Sequence, residues 1–181
     1  MSFGTDYRRG MNDLLRLPPK KWNLLISPSR LRLLVAIAYV AHQTDLVILD
    51  CGRQFDASIV ARAAKGRKEI IDRIKVQRAF TCYEAVKLIE QLPGQNGPIV
   101  ILDFLSTFHD ENIKIQSRKF LLERSIEHFQ KLVHGTGLAV SVNVPPDTPD
   151  SIHLFDRLQA AAPYVSMYEP LKDKTSQLRF F

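Results

Sequence analysis

Short apolar runs alternate with longer segments of helical period along this chain. The runs are rich in Val, Ile and Leu and have no polar face, which is typical of parallel strands covered by helices on both sides. They predict five strands, at residues 22–27, 45–50, 73–79, 97–103 and 138–144. The alternation predicts an α/β fold of three layers, in which a doubly wound, mainly parallel sheet lies between helices.

Four segments between or after these runs place apolar residues on one face at helical spacing. They predict helices at residues 29–42, 56–65, 81–92 and 115–134. Ser27 or Ser29 can cap the first helix and Thr81 the third, because a hydroxyl oxygen at that position accepts a bond from a free backbone N–H. Gly135 and Gly137 end the fourth helix.

The two ends of the chain differ from this pattern. Residues 163–170 and 175–181 are short strand-like segments joined by the charged turn "LKDK", which predicts an antiparallel hairpin at the end of the sheet. The segment "PPDTPD" at 145–150 is typical of a loop. We therefore divide the chain into a basic N-terminal arm at 1–21 and one α/β domain at 22–181, as its length of 181 residues allows.

The net charge of +6 is concentrated in two segments. Residues 1–32 and residues 61–78 each contain seven basic against two acidic side chains, which gives +5 for each. Together they can form a patch for an acidic partner such as DNA, or they can be two solvated faces. The candidate nucleic-acid-binding residues are Arg8, Arg9, Lys20, Lys21, Lys65, Arg67 and Lys68.

Several classes of protein are not expected from this sequence. No apolar run approaches the roughly 20 residues that cross a bilayer, and the polar N-terminus has no signal-peptide core, so we expect a cytoplasmic protein without a membrane partner. Cys51 and Cys82 make no disulfide framework, and no Cys/His cluster has the spacing of a metal site. We expect both thiols to be buried and inert, and no metal to be bound.

The strand "PIVILD" ends in Asp103 and matches a Walker B pattern. An aspartate at the carboxyl end of a central strand can hold the water shell of a nucleotide-bound Mg²⁺. Many buried parallel strands also end in aspartate for structural reasons alone. Asp103 is therefore a metal-associated residue only if a magnesium nucleotide binds.

The order and spacing of four segments carry more information than this one motif. They are "LVILDCGRQFDASIVARAA", "IKVQRAFTCYEAVKLIEQL", "PIVILDFLSTF" and "LERSIEHFQKLVHGTGLAVSVNV". Together they resemble the ATPase core of RecA/RadA-type recombinases, and the resemblance covers about residues 24–181. It implies a RecA-like fold, with Asp103 on the Walker B strand and Asn143 in the sensor segment that follows the fifth strand.

The sequence departs from that family at the positions that bind and hydrolyse ATP. The resemblance places Arg30 at the phosphate-loop lysine and Leu31 at the magnesium-binding Ser/Thr, while Gly52 replaces the glutamate that activates water. The loop itself is shortened and lacks glycine, and Pro28 contributes no N–H. We expect a vestigial nucleotide site at Ser29, Arg30, Asp103 and Asn143, with no catalytic residue and no bound cofactor.

The two loops that hold DNA in the family correspond here to residues 104–117 and 145–157, both of which are net acidic, so the family's DNA surface is not expected. The leading hypothesis is a non-catalytic accessory protein of DNA recombination or repair, which binds DNA or a partner through its basic surface. The partner could be RecA-like or a second copy of the chain. Three alternatives stay open: an ATPase using Arg30, Asp103 and Asn143, a structural or regulatory oligomer subunit without nucleic acid, and an unrelated receiver-like or Toprim-like domain.

Overall fold

The computed structural model describes residues 15, 17–92 and 97–168. Its strands are β1 (Trp22–Ile26), β2 (Leu46–Asp50), β3 (Ile74–Arg78), β4 (Ile99–Leu102), β5 (Leu138–Val142) and β6 (Tyr164–Met167). Its α-helices are α1 (Arg30–Gln43), α2 (Ala57–Ala63), α3 (Lys68–Ile71), α4 (Cys82–Gln91), α5 (Ile115–Leu132) and α6 (Pro149–Ala161). A 3₁₀-helix spans Phe104–Phe108. All five predicted strands are present, with ends that move by one or two residues.

The strands form one sheet in the order β3-β2-β4-β5-β1-β6, and every pair in it is parallel. A parallel neighbour requires a crossover of a dozen or more residues, and helices supply these crossovers here. The predicted doubly wound α/β fold is therefore confirmed. Because all strands are parallel, their carboxyl ends lie on the same side of the sheet. We call this side, where β1, β4 and β5 end next to one another, the carboxyl edge.

The predicted antiparallel hairpin is wrong for the described part of the chain. Its first segment is β6, which runs parallel to β1 with Leu24 beside Val165. The cause is helix α6, which begins at the end of the predicted loop 145–150, continues through residues for which no helix was predicted, and carries the chain back across the sheet. The start signals were present, since Thr148 caps the helix and Pro149 occupies its first turn. The hairpin's second segment, 175–181, lies outside the described residues.

The core lies on both faces of the sheet, as the apolar strands predict. On one face Phe129 of α5 contacts two other buried rings, those of Trp22 and Phe104, and each pair of ring centroids is 5.3 Å apart. On the other face Leu34 and Ile37 of α1 are fully buried against the strands. Aromatic contacts of this kind stabilise a fold by about 1 kcal/mol each beyond the area that they bury.

Side chains at the helix starts fix where the loops of the carboxyl edge end and the helices begin. Thr81 caps α4 as predicted, and its Oγ1 accepts a bond from the Glu84 N–H at 3.1 Å. Ser29 caps α1, with a longer contact of 3.5 Å to the Arg32 N–H. The helix predicted at 56–65 ends at Ala63, and a separate short helix, α3, follows it.

Candidate functional site

A narrow crevice opens at the carboxyl edge between β1, β4, β5 and the start of α1. Ligands of open parallel sheets bind at this edge, which makes the crevice the first candidate site. Its lining brings together Arg30, Asp103 and Asn143 of the four residues predicted for a vestigial nucleotide site. Ser29 does not line it and caps α1 instead. The remaining lining residues are Pro28, Leu33, Leu34, Gln54, Leu102 and Ser141.

The crevice has very little free space. The volume open to the centre of a water molecule is about 10 Å³. A cavity needs roughly 10–15 Å³ on this measure to hold one water. In the described structure the crevice is therefore the size of about one water molecule, well below that of a phosphate chain.

The turn between β1 and α1 forms one side of the crevice. Ser27 adopts a left-handed backbone conformation, φ 52°, which is the kind of position that glycine favours. Its N–H donates to the Val142 carbonyl oxygen at 2.8 Å, and Pro28 has no N–H to offer. At these two residues the turn has no free backbone donor for an anion.

Arg30 is held by the loop that follows β2. Its Nε donates to the Gln54 carbonyl oxygen at 2.8 Å, and its Nη2 lies 3.6 Å from Asp56 Oδ2. Asp56 in turn caps α2, and its bonds from Ser58, with a smaller contribution from Arg30, lower the pKa of its carboxyl group. The Arg30 guanidinium, at the position of the family's phosphate-loop lysine, thus already has two partners within the chain.

Asp103 closes the floor of the crevice. Its Oδ1 accepts the Asn143 N–H at 3.3 Å, and its own N–H donates to Ser141 Oγ at 2.9 Å. A Cβ atom added to Gly52 would lie 2.5 Å from the Cβ of Asp103, too close for any real contact. The space beside Gly52, where the resemblance places the catalytic glutamate, is therefore filled by Asp103.

Burial raises the pKa of the Asp103 carboxyl group. The bonds from Asn143 act in the opposite direction, and the nearby Asp50 adds to the increase. Burial also raises the pKa of the Cys51 thiol, with further contributions from Asp50 and Asp103, so this thiol stays protonated and is a poor nucleophile. The predicted burial of Cys51 and Cys82 is confirmed.

Asp50 is an organising residue that the sequence analysis did not select. Its side chain is buried, and its two oxygens accept the N–H groups of Gln54 at 2.8 Å and Phe55 at 3.1 Å. Arg78 lies 3.5 Å from the same carboxylate. Asp50 therefore shapes the loop that holds Arg30. The two "VILD" endings were visible in the sequence, but the loop contacts depend on tertiary structure.

Basic side chains cluster along α2, α3 and β3, and β3 is the outermost strand on one side of the sheet. We call the exposed cations of this region the basic edge: Arg62, Lys65, Arg67, Lys68, Lys75 and Arg78. Within the described ranges Lys65, Lys68 and Lys75 form no ion pair. Lys65 and Gly66 both have positive φ, 54° and 69°, so the chain turns tightly after α2, and both residues are exposed.

The structure separates the predicted nucleic-acid residues into two groups. Lys65, Arg67 and Lys68 belong to the basic edge, whereas Lys20 and Lys21 precede β1. Four strand spacings of about 4.8 Å separate β1 from β3, a distance of roughly 19 Å. Lys20 and Lys21 also lie at the amino ends of the strands. Arg8 and Arg9 fall outside the described residues.

An exposed aromatic ring, that of Phe80, lies just after the carboxyl end of β3, close in sequence to Lys75 and Arg78 of the basic edge. Phe80 is 62% exposed, and the Arg53 guanidinium lies 5.8 Å from the centre of its ring. The N–H of Phe80 donates to Glu84 Oε2 at 2.8 Å, which fixes the backbone below the ring. Tyr83 is also largely exposed nearby in sequence. In the sequence, "RAFT" was interpreted only as part of the fold pattern, and the exposure of the Phe80 ring was not predicted.

Buried Arg118 connects the two segments that correspond to the family's DNA loops. Its guanidinium donates to the carbonyl oxygens of Phe108 and Ile113 at 3.2 and 2.9 Å and to Asp150 Oδ2 at 2.7 Å. The first segment contains the 3₁₀-helix and the second begins α6. These segments are therefore joined to each other through Arg118, which is 3% exposed.

The described residues offer neither a metal site nor a membrane-spanning helix. Within residues 15, 17–92 and 97–168, no group of three or more His, Cys, Asp or Glu side chains is arranged to hold a metal ion. In the same ranges no helix has the length and the apolar character needed to cross a membrane.

Comparison with known proteins gives one kind of likeness. No protein-family model and no curated protein sequence matches the chain. Among solved structures, the crystal structure of the RadB recombinase is similar, with a TM-score of 0.54 over 77% of this chain and 70% of that chain. The sequences are 12% identical over that likeness. It shows that this chain has the RecA-like α/β fold that the four sequence segments predicted.

Proposed function

We propose that this chain is a non-catalytic RecA-like accessory protein of DNA recombination or repair, which binds nucleic acid through the basic edge. The observation that carries the proposal is the contrast between two surfaces of one fold. In the crevice of the expected nucleotide site, Arg30 and Asp103 each have partners elsewhere in the chain. Three exposed cations of the basic edge, Lys65, Lys68 and Lys75, form no ion pair in the described part of the chain.

Three features of the crevice support a protein that does not hydrolyse ATP. Its free volume is about 10 Å³, Arg30 is engaged by Gln54 and Asp56, and the space beside Gly52 contains Asp103 rather than a water-activating side chain. These residues do not fit a magnesium nucleotide, and we derive no reaction step through one. The alternative, an ATPase that uses Arg30, Asp103 and Asn143, would require the loop after β2 to leave the crevice.

Two features of the basic edge support nucleic acid as the ligand. Lys65, Lys68 and Lys75 project from adjacent elements, and each phosphate that such a cation neutralises releases condensed counterions. The exposed Phe80 ring, with Arg53 beside it, offers a surface on which an unpaired base can stack, and such stacking contributes about 1–3 kcal/mol per base. Cations together with an exposed ring favour single strands over duplexes.

Fluorescence anisotropy with labelled single-stranded and duplex oligonucleotides, measured over a series of salt concentrations, tests this proposal. The variant is the triple substitution Lys65→Glu, Arg67→Glu and Lys68→Glu. We expect weaker binding by at least about tenfold and a salt slope reduced by about 2, since three single-strand contacts contribute about 0.7 each.

A matched control changes the net charge equally at three exposed lysines elsewhere: Lys87→Glu, Lys114→Glu and Lys119→Glu. Equal losses in both triple variants would show that net charge alone drives binding and would contradict a defined interface. Phe80→Ala should weaken single-strand binding more than duplex binding. Absence of binding to either oligonucleotide at low salt would reject nucleic acid as the ligand.

One observation favours a protein partner as the second candidate. Strand β3 pairs only with β2 in the described sheet, so its other side is an open edge, with Lys75, Val76 and Gln77 exposed. Open edges of this kind bind an added strand from another chain. A RecA-like partner or a second copy of this chain would suit it. Light scattering over a wide concentration range tests self-association, and a monomer at all concentrations would leave only a different partner.

A further inference from the structure

Two adjacent contacts hold the first turn of α6 against the segment that follows β4. Asp150 Oδ2 accepts a bond from the Arg118 guanidinium at 2.7 Å, and Ser151 Oγ lies 3.1 Å from His109 Nδ1. His109 follows the last residue of the 3₁₀-helix and is half-buried. We call these four side chains, Asp150, Ser151, His109 and Arg118, the α6 junction.

We infer that the α6 junction is an acid-sensitive latch, closed while the His109 ring is neutral and opened when the ring takes up a proton. Opening separates the start of α6 from the segment that follows β4. The inference concerns neither the basic edge nor the crevice, and it is independent of the proposed function.

The bond between Ser151 and His109 requires a neutral ring. Ser151 is 3% exposed, and within the described chain its hydroxyl group has no partner other than His109. A buried hydroxyl hydrogen needs an acceptor, and a neutral imidazole nitrogen supplies one. Both nitrogens of an imidazolium carry a hydrogen, so protonation removes this acceptor.

The positive charges around the ring act in the same direction. The Arg118 guanidinium is buried and fixed by its bonds to the carbonyl oxygens of Phe108 and Ile113. The N-terminus of α6, where Ser151 lies, corresponds to about half a positive charge. Burial of the ring, and after it the charge of Arg118, lower the pKa of His109. The surroundings therefore oppose an imidazolium at this position.

The other titratable groups near the junction do not reverse this effect. Asp150 is bonded to Arg118, so its charge is already matched by that of the guanidinium. Cys82 of α4 is influenced by Arg118 as well, but burial raises the pKa of its thiol, which stays uncharged. Strand β5 also packs against the 3₁₀-helix and contains no charged residue. The remaining charged side chains of the neighbouring segments are exposed, where water and salt screen them: Glu84, Asp110, Glu111, Lys114 and Asp147.

The direction of the pH effect follows from the lowered pKa of His109. In the open state the ring regains the ordinary pKa of a histidine, about 6.5, so the open state binds a proton more tightly than the closed state. The stability of the latch is therefore complete above that value and is lost as the pH falls below it, toward the lowered pKa of the closed state. The competing explanation is that His109 only ends the 3₁₀-helix and that its protonation leaves α6 unchanged.

Amide hydrogen exchange of the full chain, followed by NMR from about pH 7.5 to about pH 5, tests the latch. The reporter is the Ile152 N–H, which donates to the Thr148 carbonyl oxygen at 3.0 Å in the first turn of α6. The reference is the Ala162 N–H, which donates to Leu158 at 3.1 Å at the other end of the helix. We expect the protection factor of Ile152, its slowing relative to a free peptide, to fall at least about threefold, while that of Ala162 stays constant.

The test variant is His109→Asn, whose amide oxygen keeps an acceptor near the position of Nδ1 but does not titrate. The matched control is His153→Asn, which replaces an exposed histidine of the same helix. The first variant should keep its Ile152 protection at acidic pH, and the control should lose it as the parent does. Ser151→Ala removes the same bond from the side of α6 and should also reduce the pH dependence.

Four results would overturn the inference. The first is an Ile152 protection factor that does not change with pH in the parent protein. The second is the same pH dependence in His109→Asn as in the parent. The third is a His109 ring that titrates at or above the ordinary pKa of a histidine, followed by NMR. The fourth is an equal loss of protection at Ala162, since α6 would then open as a whole.

Discussion

The crevice at the carboxyl edge and the basic edge of the same sheet treat their charged groups in opposite ways. In the crevice, Arg30 bonds to Gln54 and Asp56, and Asp103 bonds to Asn143 and Ser141. On the basic edge, Lys65, Lys68 and Lys75 have no ion pair in the described chain. Groups that already have partners stabilise a fold, whereas exposed groups without partners are available to a ligand. The proposed nucleic-acid surface therefore lies away from the carboxyl edge, where ligands of open parallel sheets usually bind.

The largest expected effect comes from Arg118, which joins the two segments that follow β4 and β5. Replacing Arg118 by Met leaves the carbonyl groups of Phe108 and Ile113 without their donor and removes the bond to Asp150. We expect the free energy of unfolding to fall by about 3 kcal/mol, measured by urea denaturation, because buried carbonyl groups are left without a donor. The control is Arg124→Met, which removes an exposed pair with Glu90 and should cost no more than about 1 kcal/mol. Equal small effects would mean that Arg118 does not hold this edge together.

The close approach of Gly52 and Asp103 gives the next largest expected effect. Gly52→Ala should lower the free energy of unfolding by about 2 kcal/mol, because the added Cβ overlaps the Asp103 side chain. In an Asp103→Gly background the same substitution should cost less than about 1 kcal/mol, since the overlapping atoms are gone. A double-mutant cycle by urea denaturation measures this coupling. Additive effects would place the two residues out of contact.

The charge of Asp103 should give a smaller, pH-dependent effect. Its pKa in the folded protein is raised above the ordinary value of an aspartate by burial, so the folded state binds the proton more tightly than the unfolded state. The contribution of Asp103 to the free energy of unfolding is therefore least favourable at neutral pH. It becomes more favourable as the pH falls and the carboxyl group takes up its proton. Asp103→Asn should be more stable than the parent at about pH 7, and the difference should shrink toward about pH 4. An unchanged difference across this range would contradict a raised pKa.

The fold followed from the sequence because its signals are local and repeated. Five strands with continuous apolar character and helices with one apolar face predicted the layers, and Thr81 and Ser29 cap the helices predicted to begin there. Helix α6 was missed because only two of its large apolar residues, Leu154 and Leu158, are fully buried. Without a broad apolar face, the prolines near its start outweighed the Thr148 cap, and the hairpin prediction failed with it.

The candidate site was predictable only in part, since its chemistry depends on contacts between distant segments. The order of segments identified Arg30, Asp103 and Asn143, which do meet at the crevice. The partners that occupy Arg30 come from a loop more than 20 residues away, and no periodicity or spacing indicates them. Phe80 was read as part of a pattern, and its exposure follows from the position of β3 at the edge of the sheet.

Calorimetric titration of the full chain with Mg-ATP tests the central claim most directly. We predict no binding heat at about 1 mM nucleotide, the range of a binding free energy near −4 kcal/mol. Arg30→Lys should also show none, because restoring the lysine supplies neither glycines nor space. Saturable binding by the parent protein that Asp103→Asn weakens would contradict the account and would restore this crevice as a working nucleotide site.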